Sequence, residues 1–263
     1  MALPPIITLT TDFGYRDHYA ASLKGTLLRL FPGIQLVDVT HGITPFNYME
    51  AAFILRSAFP KFPEGSIHLI GVDAEGGARQ NTLIMEYGGH LFLAPDNGVL
   101  SLIKGAAPGQ CYRVDHELLP PLSSGRSFLA QMRLAPVAAM LASGKTPSEL
   151  GELFPMRESL WGEPSLIDGS MRGVIQHIDR FGNAITNIHR DAFMEAKGDR
   201  SFEIFIRNVR IQRIVTTYGD VGKGDAMAIF SENDYLELAI REGSAAQLLG
   251  LKVQDMLTIE FRG

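Results

Sequence analysis

The chain has 263 residues, 46% of them hydrophobic and 20% charged, a balance ordinary for a soluble globular protein of one large or two smaller domains. Its formal charge of -5 argues against a sequence-independent nucleic-acid binder, and its single cysteine, Cys111, excludes an intrachain disulfide or a cysteine metal cluster. No basic segment followed by a long apolar run opens the chain, and no apolar stretch approaches the ~18 to 20 residues a bilayer span requires, so a cytoplasmic protein without membrane association is expected.

The first half alternates short apolar runs with helical periods. Residues 5–10 (PIITLT), 34–40 (IQLVDVT) and 66–72 (SIHLIGV) read as strands whose near-continuous apolar character suits a parallel sheet covered on both faces. Between them, Tyr19, Leu23, Leu27 and Leu30 fall at helical spacing until Pro32-Gly33, and residues 47–58 repeat the theme before Pro60. This β-α-β-α-β series predicts an α/β domain. A hairpin follows, from TLIMEY to HLFLAP, turning at Gly88-Gly89. Residues 126–143 read as helix with a break near 135 imposed by Pro136. Residues 144–164 bear prolines and no period, and read as a linker. Beyond it, short strands separated by Gly, Asn and Asp predict a small β-barrel or sandwich with one helical turn near 244–249. The expected domains are 1–155, α/β with a mainly parallel sheet, and 165–263, a small β-barrel.

Ligands of a parallel α/β sheet bind outside the carboxyl ends of its strands. Three loops of this chain reach that edge. The first carries Asp12 and Asp17 in TTDFGYRDHY, the second His41, Thr44 and Phe46, and the third Asp73, Glu75 and Arg79. An isolated Asp after a strand is most often a turn former, and a Phe after Pro is usually core; convergence of the three loops on one edge is what singles these residues out. The Asp-Phe-Gly of residues 12–14 is not that of a protein kinase, since no glycine-rich loop, strand lysine or His-Arg-Asp loop precedes it. The third loop lacks the phosphate-loop pattern, the acids do not repeat at magnesium-ligand spacing, and the seven histidines form no H-x-x-x-H pair, so no metal is expected. In the second half, HIDRFGNAITNI (177–188) places Asp179, Phe181 and Asn183 around Gly182. A phenyl face beside an amide that both donates and accepts suits a flat heterocycle such as adenine, although an ordinary β-turn explains the same residues.

Taken in order, LTTDFGYRDHYAASLKG, VDVTHGITPFN, FPEGSIHLIGVD, FLAPDNGVL, LAPVAAMLASG, IDRFGNAITNI and EGSAAQLLGL resemble the S-adenosylmethionine hydroxide adenosyltransferase family, whose relatives include the S-adenosylmethionine-dependent chlorinase and fluorinase. The resemblance runs from about residue 6 to the C-terminus. It implies an N-terminal α/β domain, a C-terminal β-barrel, and a homotrimer whose sites lie between the N-terminal domain of one subunit and the C-terminal domain of the next. It further implies that S-adenosylmethionine is a substrate, with no other cofactor, attacked at the ribose C5′ carbon with loss of the sulfonium.

By that resemblance Asp12 would accept both ribose hydroxyls, Asp17 would lie at the methionine end and Phe46 would wall the ribose. Asp179, Phe181 and Asn183 would hold adenine, and Phe128 and Ser231 would complete the substrate contacts. Asp73 and Arg79 would be the catalytic pair. The chain departs from the family twice. Gln80 stands where the family has arginine, with Arg79 one step early, and FLAQMRLAP replaces the family's Phe-His-Gly-Arg-Asp, so that Leu129 takes the histidine's place and Ala130 the glycine's. The expectation is a slow S-adenosylmethionine hydrolase giving adenosine and methionine, with Glu75 as a candidate substitute base. The alternatives are a non-catalytic adenosine binder and an enzyme using another nucleophile such as halide; against halide stand the short hairpin where the fluorinase has an extra loop, and the lack of a hydroxyl at Ala130.

Overall fold

A computed structural model describes residues 4–76, 80–119, 128 and 130–262. The chain divides into two compact units, Met1–Leu160 and Trp161–Gly263.

In the first unit the predicted alternation appears as β1 (Ile6–Thr11), α1 (Tyr19–Leu30), β2 (Gln35–Thr40), α2 (Tyr48–Ala58) and β3 (Ile67–Gly71). The hairpin is β4 (Thr82–Tyr87) and β5 (His90–Pro95), followed by α3 (Val99–Lys104), β6 (Gln110–Val114), α4 (Ala135–Ala142), α5 (Pro147–Leu150) and β7 (Gly151–Leu153). The sheet order is β2-β1-β3-β5-β4-β6-β7. The β2-β1-β3-β5 half is parallel, and β4, β6 and β7 extend it antiparallel. Every residue of β3 is buried, as a strand covered on both faces requires. The helix α1 turns Ala20, Leu23 and Leu27 inward, and α2 begins at Asn47, whose side chain accepts the Glu50 N–H at 3.1 Å. The break predicted near residue 135 is a π-helical turn, Ala130–Leu134, leading into α4, where Pro136 occupies the first turn.

Residues 144–164 are not all linker. Thr146 and Glu149 form a reciprocal capping box, Pro147 sits in the first turn of α5, and β7 then adds an edge strand to β6. Pro147 starts a helix here, and a three-residue strand is too short to show a period. Residues 154–164 are irregular.

The second unit comprises β8 (Ser165–Ile167), β9 (Ser170–Ile178), β10 (Ala184–His189), α6 (Arg190–Lys197), β11 (Ser201–Ile206), β12 (Val209–Ile211), β13 (Ile214–Val215), β14 (Ala226–Phe230), β15 (Tyr235–Ile240), α7 (Ala245–Leu248) and β16 (Met256–Arg262). The strands run β12-β11-β16-β9-β10-β15-β14-β13 around a nearly closed barrel, with β8 paired to β9. Ile175, Ile188, Leu236, Leu238, Leu257 and Ile259 fill it. The α6 helix is absent from the sequence reading because Phe193 is its one buried residue, too sparse a signal for a helical period.

Candidate functional site

Asp12 stands one residue past β1, at the carboxyl edge of the parallel strands. Its Oδ2 accepts the backbone N–H of Phe46 at 2.9 Å and that of Asp73 at 3.3 Å, so one carboxylate ties the three edge loops together. Both donors are in the left-handed region, Phe46 at φ 67° and Asp73 at φ 48°. Non-glycine residues rarely adopt that conformation, and it persists where surrounding bonds enforce it. The second loop is fixed independently: the Gly14 N–H donates to the His41 carbonyl at 2.7 Å. Phe46 leaves 70% of its surface exposed beside this carboxylate. Asp73 is braced from behind, where Gln80 Nε2 donates to its carbonyl at 3.2 Å. Burial and the neighbouring Asp12 charge push the Asp73 carboxyl above its ordinary value, while Arg157 opposes them.

Phe128 adds an aromatic wall. Its ring meets Phe13 and Tyr19 edge-on, at centroid distances of 5.2 and 5.3 Å, and its N–H donates to Glu75 Oε2 at 3.2 Å. Asp17 lies exposed in the turn before α1. His41 is a core residue: Thr11 Oγ1 engages its Nδ1 at 2.6 Å, and its Nε2 sits 3.2 Å from Asp38 Oδ1 without hydrogen-bond alignment. Arg79 and Leu129 lie outside the described residues.

In the barrel, Asp179 builds the turn between β9 and β10. Its Oδ1 accepts the N–H groups of Phe181 and Asn183 at 2.9 and 2.8 Å, and its Oδ2 accepts Asn183 Nδ2 at 3.0 Å. The Asn183 amide is thereby oriented, with one of its two N–H donors engaged by Asp179. Gly182, at φ 83°, packs so closely on Ser244 that a Cβ there would lie 2.0 Å from the hydroxyl. Phe181 is 78% exposed. Asp179, Phe181 and Asn183 line one side of a cavity of about 720 Å³, a size typical of small-molecule sites. Its other side, Tyr218 and Arg241, is not apparent from the sequence. The Tyr218 hydroxyl donates to the buried Glu237 Oε1 at 2.5 Å. Burial raises both groups, Tyr218 well above the usual phenol range.

Ser231 lies elsewhere in the barrel. Its N–H donates to the Tyr235 carbonyl, and Tyr235 pairs with His189 at the far end of the β10–β15 ladder from Ala184. Ser231 and Asn183 therefore sit at opposite ends of that ladder. Among the described residues no group of three or more His, Cys, Asp or Glu side chains could hold a metal, and no helix is long and apolar enough to cross a membrane.

An α/β unit with loops gathered at its carboxyl edge, followed by a nearly closed β-barrel, defines the class. Residues 7–151 match the SAM hydroxide adenosyltransferase N-terminal domain and residues 173–258 its C-terminal domain. The chain belongs to the S-adenosylmethionine hydroxide adenosyltransferase family. It is 32% identical over 253 residues to the (R)-S-adenosyl-L-methionine hydrolase of Thermus thermophilus, covering 92% of this chain and 94% of that protein. It is 28% identical over 289 residues to a fluorinase of an Actinoplanes species, covering 97% of each. Among solved structures, an uncharacterized conserved protein from Thermotoga maritima superposes with a TM-score of 0.87 at 27% identity, covering 97% of this chain and 99% of that one.

Proposed function

We propose that this chain is an S-adenosylmethionine hydrolase that releases adenosine and L-methionine. The observation that carries the reading is the Asp12 carboxylate, fixed through Oδ2 by the backbone N–H groups of Phe46 and Asp73 at the carboxyl edge of the sheet, in a chain 32% identical to a protein of that hydrolase name. A carboxylate so held offers Oδ1 to the cis hydroxyls of a ribose as charge-assisted bonds. Phe46 and Phe128 wall the sugar and the methionine chain, and Asp17 takes the ammonium. Phe181 and Tyr218 flank adenine, whose exocyclic amine donates to the Asn183 oxygen.

The chemistry is displacement at C5′. The water oxygen bonds to that carbon as the C5′–S bond breaks, and the electron pair returns to sulfur as the thioether of methionine. The sulfonium needs no acid to leave, so the protein aligns water and accepts its proton, with Asp73 as acceptor and Arg79 beside it. Leu129, in place of the family's histidine, leaves water less well oriented, and the reaction is slow. The active form is a homotrimer in which the N-terminal domain, 1–155, supplies the ribose and methionine side and the C-terminal domain, 165–263, the adenine side. Ser231, distant from Asn183 within its own barrel, then serves at another part of the substrate.

Incubation with S-adenosylmethionine followed by chromatography should show adenosine and methionine in equal amounts, and Asp73→Asn should lower the rate by ~10²-fold or more. Leu129→His with Ala130→Gly should raise it. The Leu129 substitution also favours a second reading, a non-catalytic adenosine binder. Calorimetric binding with no product release would establish that one.

A further inference from the structure

Asp12 is flanked in the chain by Thr11 and Phe13, and both neighbours belong to one run of hydrogen bonds that ends on His41. Thr11 and His41 are fully buried. Thr11 Oγ1 lies 2.6 Å from His41 Nδ1 and also accepts the Phe13 N–H at 3.4 Å. Two backbone bonds run beside it, from the Gly14 N–H to the His41 carbonyl at 2.7 Å and from the Ile43 N–H to the Thr11 carbonyl at 3.4 Å. The first and second loops are thereby joined on both sides of Asp12. The strand that leads to His41 is itself irregular. Leu9 faces Asp38 across the β1–β2 pair and Thr10 faces Thr40, so Val39 is the extra residue of a bulge, a device that re-aims side chains at the end of a strand.

The far side of the ring settles which nitrogen carries the proton. His41 Nε2 is 3.2 Å from Asp38 Oδ1, and Lys24 Nζ, from α1, holds Asp38 Oδ2 at 2.6 Å. The Tyr15 ring covers the imidazole edge-on at 5.2 Å. An ionised carboxylate only accepts, so it selects the tautomer protonated at Nε2 and leaves Nδ1 as the acceptor of the Thr11 hydroxyl proton. The Thr11 oxygen then keeps its lone pairs for the Phe13 N–H. Burial, which outweighs the Asp38 charge, also pulls the imidazole below its ordinary value and keeps it neutral. Donation therefore runs in one direction, from Phe13 to Thr11 to His41.

We propose that His41 is a positioning residue for the ribose site, which sets the direction of the Asp12 carboxylate through the residues on either side of it, Thr11 and Phe13. The proposal rests on the ribose role of Asp12 in the hydrolase reading. The test uses the full chain with Thr11→Val, His41→Gln and His41→Asn. Valine keeps the shape of Thr11 without its hydroxyl. Asparagine puts an amide oxygen where Nδ1 stands, whereas the longer glutamine reaches toward the place of Nε2. NMR records the amide protons of Phe46 and Asp73, the two that Asp12 Oδ2 accepts, while calorimetry gives adenosine affinity and kinetics give kcat and KM. Thr11→Val and His41→Gln should shift both amide signals. They should also weaken adenosine binding and raise KM on the order of five- to tenfold, with kcat changed less than about threefold. His41→Asn should restore most of this. A role in folding alone predicts the opposite split, a smaller active fraction that lowers kcat at unchanged KM. Amide signals that stay in place in folded Thr11→Val overturn the proposal, as does a His41→Asn no better than a folded His41→Gln. Failure of the unmutated chain to bind adenosine would instead overturn the ribose role of Asp12, and the amide signals would still decide whether His41 directs that carboxylate.

Discussion

The carboxylate of Asp12 holds the backbone of Asp73 while repelling its side chain: Oδ2 accepts the Asp73 N–H at 3.3 Å, and the same negative charge, after burial, pushes the Asp73 carboxyl up. The two effects are separable by substitution. Asp12→Asn keeps an acceptor oxygen for the Phe46 and Asp73 N–H groups but removes the charge. It should fold, lower the Asp73 titration midpoint, and lose about 1 kcal/mol of adenosine binding for each charged hydrogen bond to ribose that becomes neutral and ~1.5 to 3 kcal/mol for each that is lost. Asp12→Ala removes the acceptor as well and should cost about 1 to 2 kcal/mol more in urea unfolding. Calorimetry with adenosine checks the first figure; unchanged affinity in folded Asp12→Asn would remove Asp12 from the ribose site.

The parallel half of the N-terminal sheet is legible from sequence because its strands are continuous apolar runs and α1 repeats its leucines at three and four residues. Asp12, Phe46 and Asp73 could be nominated for the same reason, since a β-α-β series brings its strand ends to one edge. What brings them into hydrogen-bond contact could not be read. The positive φ of Phe46 and of Asp73 accompanies bonds to a residue 34 and 61 positions away, and a phenylalanine in particular does not signal a left-handed turn. Tyr218 and Glu237 were missed likewise: each is ordinary in its own strand or turn, and only the barrel's closure pairs them across 19 positions.

Acid should unfold the N-terminal unit through its histidine pair. His68 is fully buried between Thr8 Oγ1, 2.7 Å from its Nδ1, and His90 Nδ1, 3.3 Å from its Nε2, with Phe92 stacked at 4.8 Å. Burial, then the neighbouring His90, pulls His68 down to about 3 from 6.5. The sign follows from which state takes the proton. Above pH 6.5 both states are neutral and nothing is lost. Below it the unfolded chain binds a proton that the fold refuses, so stability falls with pH until His68 itself titrates near 3. Between pH 6.5 and 4.5 the loss should be about 2 to 3 kcal/mol, with His90, also lowered, adding to it. Urea midpoints at the two pH values measure this. His68→Gln should flatten the slope, and an equally steep slope in that variant would place the acid sensitivity elsewhere.

Gly182→Ala should damage the barrel cavity from one side. Alanine at φ 83° costs ~1 to 2 kcal/mol in its own backbone, and its Cβ would drive against Ser244, which caps α7. A total destabilisation of about 2 to 3 kcal/mol is expected, with weakened adenosine binding because the Asp179–Asn183 turn must shift. Adding Ser244→Gly relieves the clash while losing only a few tenths of a kcal/mol of capping, so the double variant should recover part of the stability. Thermal unfolding of the three proteins tests this, and a double variant no better than Gly182→Ala would show that backbone strain alone sets the cost.

The Tyr218–Glu237 pair offers the sharpest test of the cavity. Glu237 is 4% exposed and accepts the Tyr218 hydroxyl at 2.5 Å, while Asp179 adds a further negative charge nearby. Burial raises the Glu237 carboxyl, so relative to an ordinary glutamate its contribution to stability is complete below pH 4.5 and declines as pH rises through its folded value. The phenol donor limits that decline by stabilising the ionised form. Tyr218→Phe should therefore destabilise the barrel by ~1.5 to 3 kcal/mol at pH 8, where the carboxylate has lost its donor, and by less at pH 5. Glu237→Gln keeps an acceptor and removes the charge, so it should cost little at either pH. In a Glu237→Gln background the removal of the hydroxyl should cost only ~1 kcal/mol, which leaves a coupling energy of about 0.5 to 2 kcal/mol at pH 8 from the double-mutant cycle. Adenosine affinity should survive Tyr218→Phe, which keeps the ring, and fall by ~1 to 3 kcal/mol in Tyr218→Ala, which removes it. A pH-independent loss in Tyr218→Phe would mean that Glu237 is not the charge the hydroxyl serves. Undiminished adenosine binding by Tyr218→Ala would take this cavity out of the substrate site.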